Sequence, residues 1–256
     1  MNRKGDFVMG KKRNIIVGQS GGPTAVINSS LAGVYKTAKE RGFHKVYGML
    51  HGIEGFLDEM YVDLSTQIHS DMDIELLKRT PSAFLGSCRY KLPESLEDPV
   101  YPLLFQKFEE MNIGWFFYIG GNDSMDTVSK LSRYAAQTGS SIRVIGEPKT
   151  IDNDLVHTDH TPGYGSAAKY IGTSMKEIIR DSFCLEYEKG VVSIVEIMGR
   201  NAGWLTGAAA LSKGEDCEGP DLIYLPELPF DLQLFGEKIK QLLQEKTSIV
   251  VAVSEG

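Results

Sequence analysis

Short apolar runs alternate with longer amphipathic stretches along this chain, and that alternation restricts its fold more than any other feature. The apolar runs with the length of buried strands are 14–19, 45–50, 115–121, 142–147, 191–199, 222–226 and 248–254. The intervening stretches with apolar residues at helical spacing are 26–41, 99–112, 123–137, 167–183, about 203–213 and about 231–245. Such a succession predicts an α/β fold whose mostly parallel sheets are covered on both faces.

Composition and charge restrict the class of partner. The 256 residues are 42% hydrophobic and 24% charged, an ordinary globular balance with room for one large domain or two smaller ones. A net charge of -7 argues against nucleic acid or an anionic membrane as the main partner. A small anionic ligand is still compatible, because it responds to the local field of a cleft.

Several absences in the sequence point to the cytoplasm. The first residues contain no apolar segment of a secretory signal, and no uninterrupted apolar run approaches membrane-spanning length. Cys88, Cys184 and Cys217 lie far apart without a CxxC pattern, which argues against a disulfide scaffold or a zinc site. We therefore expect a cytoplasmic protein without membrane contact.

The last stretch, "SIVVAVSEG", reads as a strand with Glu255 at its carboxyl end. A parallel strand normally leads into a loop and a covering helix. We therefore expect this sequence to be the amino-terminal portion of a longer protein, and the alternative is a genuine terminal strand.

Two predicted strands end in paired glycines that open helices. Open α/β sheets bind ligands beyond the carboxyl ends of their strands, and helix amino-termini with bare amides bind phosphate. In "VGQSGGPTAVIN" the pair is Gly21 and Gly22, and a plain tight turn is an equally good interpretation. In "YIGGNDSMDT" the glycines precede Asn122, Asp123 and Ser124, which favours a phosphate or magnesium site over simple helix capping.

The stretch "GEPKTIDNDL" concentrates charge at the end of a predicted buried strand. Thr150, Asp152 and Asp154 have i, i+2, i+4 spacing, so they point to one side if the chain stays extended. Lys149 adds positive charge beside them. One carboxylate can serve as a general base and another can help to hold a hydrated metal. The alternative is an Asx-turn with a structural salt bridge.

Two arginines follow glycine-containing strand ends. Arg200 follows Gly199 in "EIMGRNAGW", and Arg89 closes "FLGSCR". An arginine in either place can clamp a phosphate bidentately. For Arg200, a plain surface arginine is an equal alternative.

Other suggestive stretches receive a structural interpretation. "GYGSAA" follows Pro162 rather than a strand, so we interpret it as a helix entry and not as a dinucleotide fingerprint. His157 and His160 are assigned to a surface loop, and Cys88 is taken to be a small packing residue.

In combination, "GGPTAVIN", "LGSCR", "GGNDS", "PKTIDND", "MGRNAGW" and "SEG" closely resemble the phosphofructokinase family, specifically its pyrophosphate-dependent branch. The resemblance runs from about residue 13 to the end. It implies reversible phosphoryl transfer from pyrophosphate to the 1-hydroxyl of fructose 6-phosphate, with Mg²⁺, in glycolysis and gluconeogenesis.

The resemblance also assigns roles. It implies two catalytic residues, Asp152 as the base and Lys149 as a cation that contacts the donor. Asp154 matches a carboxylate near the magnesium and the transferred phosphoryl group. The residues matched to the donor or its metal are Gly22, Arg89, Asp123 and Ser124. The residues matched to the sugar are Thr150, Asp152, Asp154, Met198, Gly199, Arg200 and Glu255.

Donor choice is expected to depend on two positions. ATP-using members of the family typically carry glycine where this chain has Asp123 and Lys149. A side chain at the first position obstructs the inner phosphate of a nucleotide, and a lysine at the second can contact the shorter donor. The resemblance therefore favours pyrophosphate over ATP.

There are two departures from the family pattern. Asn122 stands where many members have a magnesium-linked aspartate, so we expect the metal to depend on Asp123. Val191 stands where many bacterial ATP users have an arginine that reaches across a subunit interface, so another basic residue must serve the sugar 6-phosphate.

The resemblance implies two Rossmann-like α/β domains, the second incomplete in this chain. Residues 1–166 would bind the phosphate donor, residues 167–256 would begin the sugar-phosphate domain, and the active site would lie between them. We expect a homo-oligomer. The alternatives are an ATP-dependent 6-phosphofructokinase and a non-catalytic regulatory subunit. Asp123 and Lys149 argue against the first, and intact Asp152, Asp154 and Arg200 argue against the second.

Overall fold

The protein forms two compact units. The computed structural model describes residues 13–184 and 188–255. The units are Met1–Lys149 and Thr150–Gly256. The division comes after Lys149 rather than after residue 166, because Ile151 and Tyr164 pack against the apolar core of the second unit.

The first unit contains a five-stranded sheet. Its strands are β1 (Asn14–Gln19), β2 (Val46–Met49), β3 (Tyr61–Asp63), β4 (Ile113–Gly120) and β5 (Arg143–Pro148). Its helices are α1 (Ile27–Glu40), α2 (Gly52–Leu57), α3 (Asp71–Arg79), α4 (Val100–Glu110) and α5 (Asn122–Thr138), with a 3-10 turn at Leu64–Thr66. The strand order is β3-β2-β1-β4-β5. Only the β2–β3 pair in this sheet is antiparallel within the described residues.

Successive side chains of the strands pack alternately into two apolar cores on opposite faces of this sheet. Ile15 and Val17 of β1 enter one core with Leu31 of α1, and Ile16 enters the other with Phe108 of α4. All five are at most 3% exposed. A strand buried on both faces is apolar throughout, which explains the continuous apolar runs of the sequence.

The order of the strands creates a switch point at β1. The chain passes from β1 to β2 on one side and later places β4 on the other side. In open α/β sheets, connections that leave in opposite directions open a crevice at the carboxyl ends of the two strands. Both paired-glycine turns begin at this crevice, since they follow β1 and β4.

The second unit contains a parallel three-stranded sheet in the order β6-β8-β7. Its strands are β6 (Val191–Ile197), β7 (Leu222–Tyr224) and β8 (Ser248–Ser254), and its helices are α6 (Tyr164–Phe183), α7 (Trp204–Gly207) and α8 (Leu232–Leu242), with a 3-10 helix at Ala208–Ser212. Met175 and Ile179 of α6 pack on Val250 and Ala252 of β8. Ile197 pairs with Ser254, so β6 and β8 end side by side.

The predicted α/β fold with mostly parallel sheets is confirmed, and the differences are local. No element was predicted between residues 50 and 99, where α2, β3 and α3 lie. Helix α3 had a readable signal, because Ser70 and Asp73 form a capping box. Helix α6 starts at Tyr164 rather than at 167, and Gly163, with φ of 97°, precedes it, so "GYGSAA" is a helix entry. The predicted helix at 203–213 is divided into α7 and the 3-10 helix.

Within residues 13–184 and 188–255, no helix has both the length and the apolar character needed to cross a bilayer.

Candidate functional site

The turn after β1 is built on a glycine with positive φ. Gly21 has φ of 78°, a backbone conformation that residues with a side chain rarely adopt. Its N–H donates to the carbonyl of Cys88 over 3.2 Å. A Cβ placed on Gly21 would lie 3.6 Å from the Lys149 ammonium nitrogen. The turn therefore brings bare backbone close to a cation.

The turn after β4 joins the first turn through two serines. Ser20 Oγ and Ser124 Oγ are 2.6 Å apart, and both residues are buried. A Cβ on Gly120 would lie 1.9 Å from Ser124 Oγ, so only glycine permits this approach. Helix α5 has Gly121 as its N-cap residue, so Asn122, Asp123 and Ser124 lie in its first turn and not at the cap position. The hydroxyl of Ser124 thus links two strand ends, and the amino-terminus of α5 opens at the crevice.

Lys149 connects both glycine turns. Its backbone N–H donates to the carbonyl of Gly120 over 2.9 Å, and its ammonium group donates to the carbonyl of Gly22. The residue is only 5% exposed. A nearly buried cation beside a helix amino-terminus favours a small anion at this point.

Asp123 projects from the first turn of α5 into solvent. Its carboxylate lies 3.4 Å from the ammonium group of Lys91, and both side chains are about three-quarters exposed, at 75% and 73%. An exposed ion pair of this kind stabilises little, so either partner can exchange it for a ligand. The Asp123 carboxylate is therefore accessible to a metal ion.

Arg89 lies in an exposed position on a tightly held loop. Ser87 Oγ donates to the carbonyl of Gly21 over 2.5 Å. Gly86 has φ of 73°, and a Cβ there would lie 2.6 Å from His51 Nδ1. His51, at the carboxyl end of β2, has φ of 56° and was missed in the sequence, because left-handed backbone at a non-glycine residue has no clear sequence signal.

A partly buried carboxyl group, that of Glu147, also lies on β5 near this crevice. Burial raises the pKa of the Glu147 carboxyl above its ordinary value. On β4, burial raises the pKa of the Tyr118 hydroxyl, with an added effect of nearby Cys88, whose sulfur is 3.6 Å away. Cys88 is buried, as expected of a packing residue.

In the second unit, the segment from Thr150 to Asp154 is a turn and not an extended strand. The N–H of Asp152 donates to Thr150 Oγ1 over 3.0 Å, and Asn153 has φ of 61°. Asn153 Oδ1 accepts from the N–H of Thr161 over 2.8 Å. The condition of an extended chain is therefore not met, because β5 ends at Pro148 and Asn153 has a left-handed backbone conformation.

The four polar residues of this segment have different structural roles. Thr150 and Asn153 use their side chains to build it, while Asp152 and Asp154 are partly buried. The turn therefore holds the Asp152 backbone firmly through a local hydrogen bond, which is a suitable support for a catalytic group.

The other sugar-side candidates of this unit meet at the ends of β6 and β8. The N–H of Glu255 donates to the carbonyl of Ile197 over 3.0 Å, directly before Met198. Met198 is 56% exposed, and Arg200 is also exposed. Gly199 has φ of 126°, and a Cβ there would lie 2.5 Å from the carbonyl oxygen of Ala202. Only glycine fits that corner, and Arg200 and Glu255 follow β6 and β8, which end side by side at one edge of the sheet.

The two histidines that the sequence assigns to a surface loop, His157 and His160, are both exposed. Within residues 13–184 and 188–255, no group of three or more His, Cys, Asp or Glu side chains could hold a metal ion by itself. Cys88, Cys184 and Cys217 are free thiols.

The family profile described as Phosphofructokinase matches residues 14–256. A pyrophosphate–fructose 6-phosphate 1-phosphotransferase of Rhodospirillum rubrum is 43% identical over 246 residues, which cover 96% of this chain and 58% of that protein. The chain thus spans less than two thirds of the length of this relative.

Two solved structures are also similar. A pyrophosphate-dependent phosphofructokinase from Nitrosospira multiformis is 40% identical with a TM-score of 0.78, over 96% of this chain and 61% of that one. The corresponding protein from Marinobacter aquaeolei is 43% identical with a TM-score of 0.76, over 95% and 60% of the two chains.

Proposed function

The chain belongs to the phosphofructokinase family, and we propose that its protein transfers a phosphoryl group from pyrophosphate to the 1-hydroxyl of fructose 6-phosphate. In this proposal the first unit binds the donor and the second unit supplies the base and part of the sugar site. The products are fructose 1,6-bisphosphate and phosphate, and the reaction is reversible.

The observation that carries the proposal is the bridging position of Lys149. Its ammonium group bonds to the carbonyl of Gly22, and its N–H bonds to the carbonyl of Gly120. The lysine residue thus joins two glycine turns at the crevice. A compact point charge there suits a short, highly charged anion such as pyrophosphate. Asp123 on α5 adds bulk where an ATP-using site needs room.

The donor half is expected to act by electrostatic positioning. Phosphoryl transfer requires little covalent work from the protein, so fixed cations and backbone donors supply most of the catalysis. Lys149 and Arg89 provide the cations, and the amino-terminus of α5 with bare Gly22 provides backbone donors. The hydrogen bond between Ser20 and Ser124 holds the two turns in register, so this pocket is organised before the donor arrives.

Magnesium fits the donor half as a shared ligand. Mg²⁺ is usually held by one or two carboxylates together with substrate phosphates and water, rather than by a cage of protein side chains. The exposed carboxylate of Asp123 meets that requirement, and its weak ion pair with Lys91 leaves it available. Bound with the donor, magnesium would neutralise phosphate charge.

Asp152 is proposed to be the general base. It would accept the proton of the sugar 1-hydroxyl as that oxygen attacks the transferred phosphoryl group. Its backbone is fixed by the hydrogen bond to Thr150 Oγ1, which supports a well-positioned carboxylate. We also propose that Asp154 stands near the transferred group.

The sugar is proposed to bind at the ends of β6 and β8. Arg200 would bind an anionic or hydroxyl oxygen of the sugar phosphate, and Glu255 would accept hydrogen bonds from sugar hydroxyls. Met198 and Gly199 would line the same site. The support is their convergence at one sheet edge, through the N–H of Glu255 and the carbonyl of Ile197.

The test is a donor assay on the full-length protein. Formation of fructose 1,6-bisphosphate is measured with magnesium and either pyrophosphate or ATP, at equal donor concentrations. We expect kcat/KM to be far higher with pyrophosphate. A preference for ATP would identify an ATP-dependent 6-phosphofructokinase. Absence of turnover with both donors, in a folded protein that binds fructose 6-phosphate, would favour a regulatory subunit.

We further propose that the protein acts in the cytoplasm as a homo-oligomer. Leu228, Leu232 and Leu234, in and beside α8, are 69%, 74% and 62% exposed, which supports a protein contact on the second unit. Sedimentation equilibrium of the full-length protein tests this, and a monomer at micromolar concentration would contradict it.

A further inference from the structure

Two amide side chains form a buried pair beneath the donor half of the site. Gln19 ends β1 and Asn28 lies in the first turn of α1. They are 0% and 1% exposed. Gln19 Nε2 donates to Asn28 Oδ1 over 3.0 Å and to the carbonyl of Ile27 over 3.0 Å. Buried amides are costly unless their donors and acceptors are satisfied, so the remaining partners of this pair are informative.

Those partners all belong to the loop of residues 80–85. Asn28 Nδ2 donates to the carbonyls of Thr80 and Ser82, each over 2.8 Å. In return, Asn28 Oδ1 accepts from the N–H of Phe84 and Gln19 Oε1 accepts from the N–H of Leu85, each over 2.9 Å. The pair therefore satisfies backbone groups of a loop that lies outside the regular elements, and it fixes the path of that loop.

The same loop continues directly to Arg89. Beyond Leu85, Ser87 Oγ donates to the carbonyl of Gly21, and the carbonyl of Cys88 accepts from the N–H of Gly21. The segment is thus attached to residue 19 and to residue 21, on both sides of Ser20. The end of β1 consequently holds both the glycine turn and the loop that carries the arginine.

We propose that Gln19 and Asn28 are positioning residues for donor binding, which set the place of Arg89 relative to Gly22 and Lys149. The proposal rests on the proposed function, because it needs the first unit to bind the donor. Because both amides are buried, they would act on the donor through the loop and not by direct contact. A carboxamide is required at both places, because each side chain must donate and accept at once, which neither a carboxylate nor an apolar side chain can do. A fully satisfied buried network of this kind is rigid, and removing one member leaves its partner groups unpaired.

The test compares Asn28→Ala and Gln19→Met with the control Tyr35→Phe in the full-length enzyme. Tyr35 is buried in the same unit, and its hydroxyl donates to the carbonyl of Ile68 over 3.0 Å, so the control removes one buried hydrogen bond that has no link to Arg89. We expect both amide variants to raise the KM for pyrophosphate about 10-fold to 100-fold, with less than about a 3-fold change for fructose 6-phosphate. The control should leave both constants nearly unchanged.

Hydrogen exchange supplies a readout that does not depend on activity. The amides of Phe84 and Leu85 should be protected in the wild type and in Tyr35→Phe. Asn28→Ala should remove the protection of the Phe84 amide, and Gln19→Met should remove that of the Leu85 amide. The amides of strand β4 should stay protected in both variants. Asn28→Ser is the milder second variant if Asn28→Ala loses its fold.

The outcomes separate the two proposals. The positioning role would be overturned if an amide variant raised the KM for both substrates equally. It would also be overturned if the Phe84 or Leu85 amide lost its protection while the KM for the donor stayed unchanged. The proposed function would stand in either case. A wild type that transfers phosphate from neither pyrophosphate nor ATP would overturn the proposed function and the donor assignment with it.

Discussion

The ammonium group of Lys149 donates a hydrogen bond to the carbonyl of Gly22, across 127 residues of sequence. The bond joins the end of β5 to the turn after β1. Since the N–H of Lys149 also bonds to Gly120, one residue holds three strand ends together at the crevice of the first sheet. Donor specificity should therefore be sensitive to this side chain.

The first prediction concerns the choice of donor. Replacing both Asp123 and Lys149 by glycine should lower kcat/KM for pyrophosphate sharply and admit measurable use of ATP, because the change removes a cation for the short donor and opens space for a nucleotide. Asp123→Gly alone should do less, since Lys149 would still fill the site. The measurement is the ratio of kcat/KM for the two donors.

A suitable control for this pair is Lys45→Gly. Lys45 directly precedes β2, at the amino end of a strand and away from the carboxyl edge of the sheet. It should leave the donor ratio unchanged. If the double variant also leaves the ratio unchanged, these two residues do not select the donor.

The second prediction tests the general base. Asp152→Asn should lower kcat about 10²-fold to 10⁴-fold while the KM for fructose 6-phosphate changes little, because a positioned base acts in the transition state and contributes little to ground-state binding. Asp159→Asn, at an exposed position of the same loop region, should be close to wild type. Turnover of Asp152→Asn near the wild-type rate would refute the assignment.

The third prediction separates the roles of two arginines. Arg200→Ala should raise the KM for fructose 6-phosphate more than that for pyrophosphate, and Arg89→Ala should do the reverse. Each loss is expected to be about 1.5–3 kcal/mol, the range for hydrogen bonds to charged groups. Each variant is the control for the other, and similar effects of both on both substrates would contradict the division into donor and sugar halves.

The fourth prediction concerns the pH dependence of stability. Burial raises the pKa of Glu147 above its ordinary value of 4.5, so the folded protein binds this proton more strongly than the unfolded chain does. The resulting stability is present below about pH 4 and is lost as pH rises through the folded pKa, where this partly buried group ionises. Glu147→Gln should therefore have a higher free energy of unfolding than wild type at about pH 7, and the gap should close at about pH 4.

Urea unfolding of both proteins at the two pH values measures this difference. Glu97 is exposed in the same unit, and Glu97→Gln should have nearly the wild-type free energy of unfolding at both pH values. A Glu147→Gln variant that is less stable than wild type at about pH 7 would mean that the carboxylate is stabilised by a specific partner.

Much of the fold was readable from the sequence because its signals are local. The apolar runs and the periodic stretches predicted strands β1 and β4 and helices α1 and α5 within a few residues of their bounds. The missed elements lie between residues 50 and 99. There β3 has only three residues, and α2 has six, too few for a period to be recognised.

The paired glycines were also readable, since a turn with positive φ or a close approach of backbone requires that residue type. Gly21 and Gly120 are examples of the two cases. The path of the chain after β5 was not readable. The spacing of Thr150, Asp152 and Asp154 suggests an extended segment, but the bonds from Asp152 to Thr150 and from Thr161 to Asn153 make it a turn.

The sequence by itself thus determined the succession of strands and helices, the family resemblance and the residue types at the strand ends. Only the tertiary structure decided which strand ends are neighbours and which polar side chains connect them. The bond between Ser20 and Ser124 spans 104 residues, and the bond between Gln19 and Leu85 spans 66. Periodicity and turn chemistry act over a few residues, whereas such contacts depend on the order of strands in the sheet. Burial then makes each of those hydrogen bonds obligatory, because an amide or hydroxyl removed from water must find a partner within the protein.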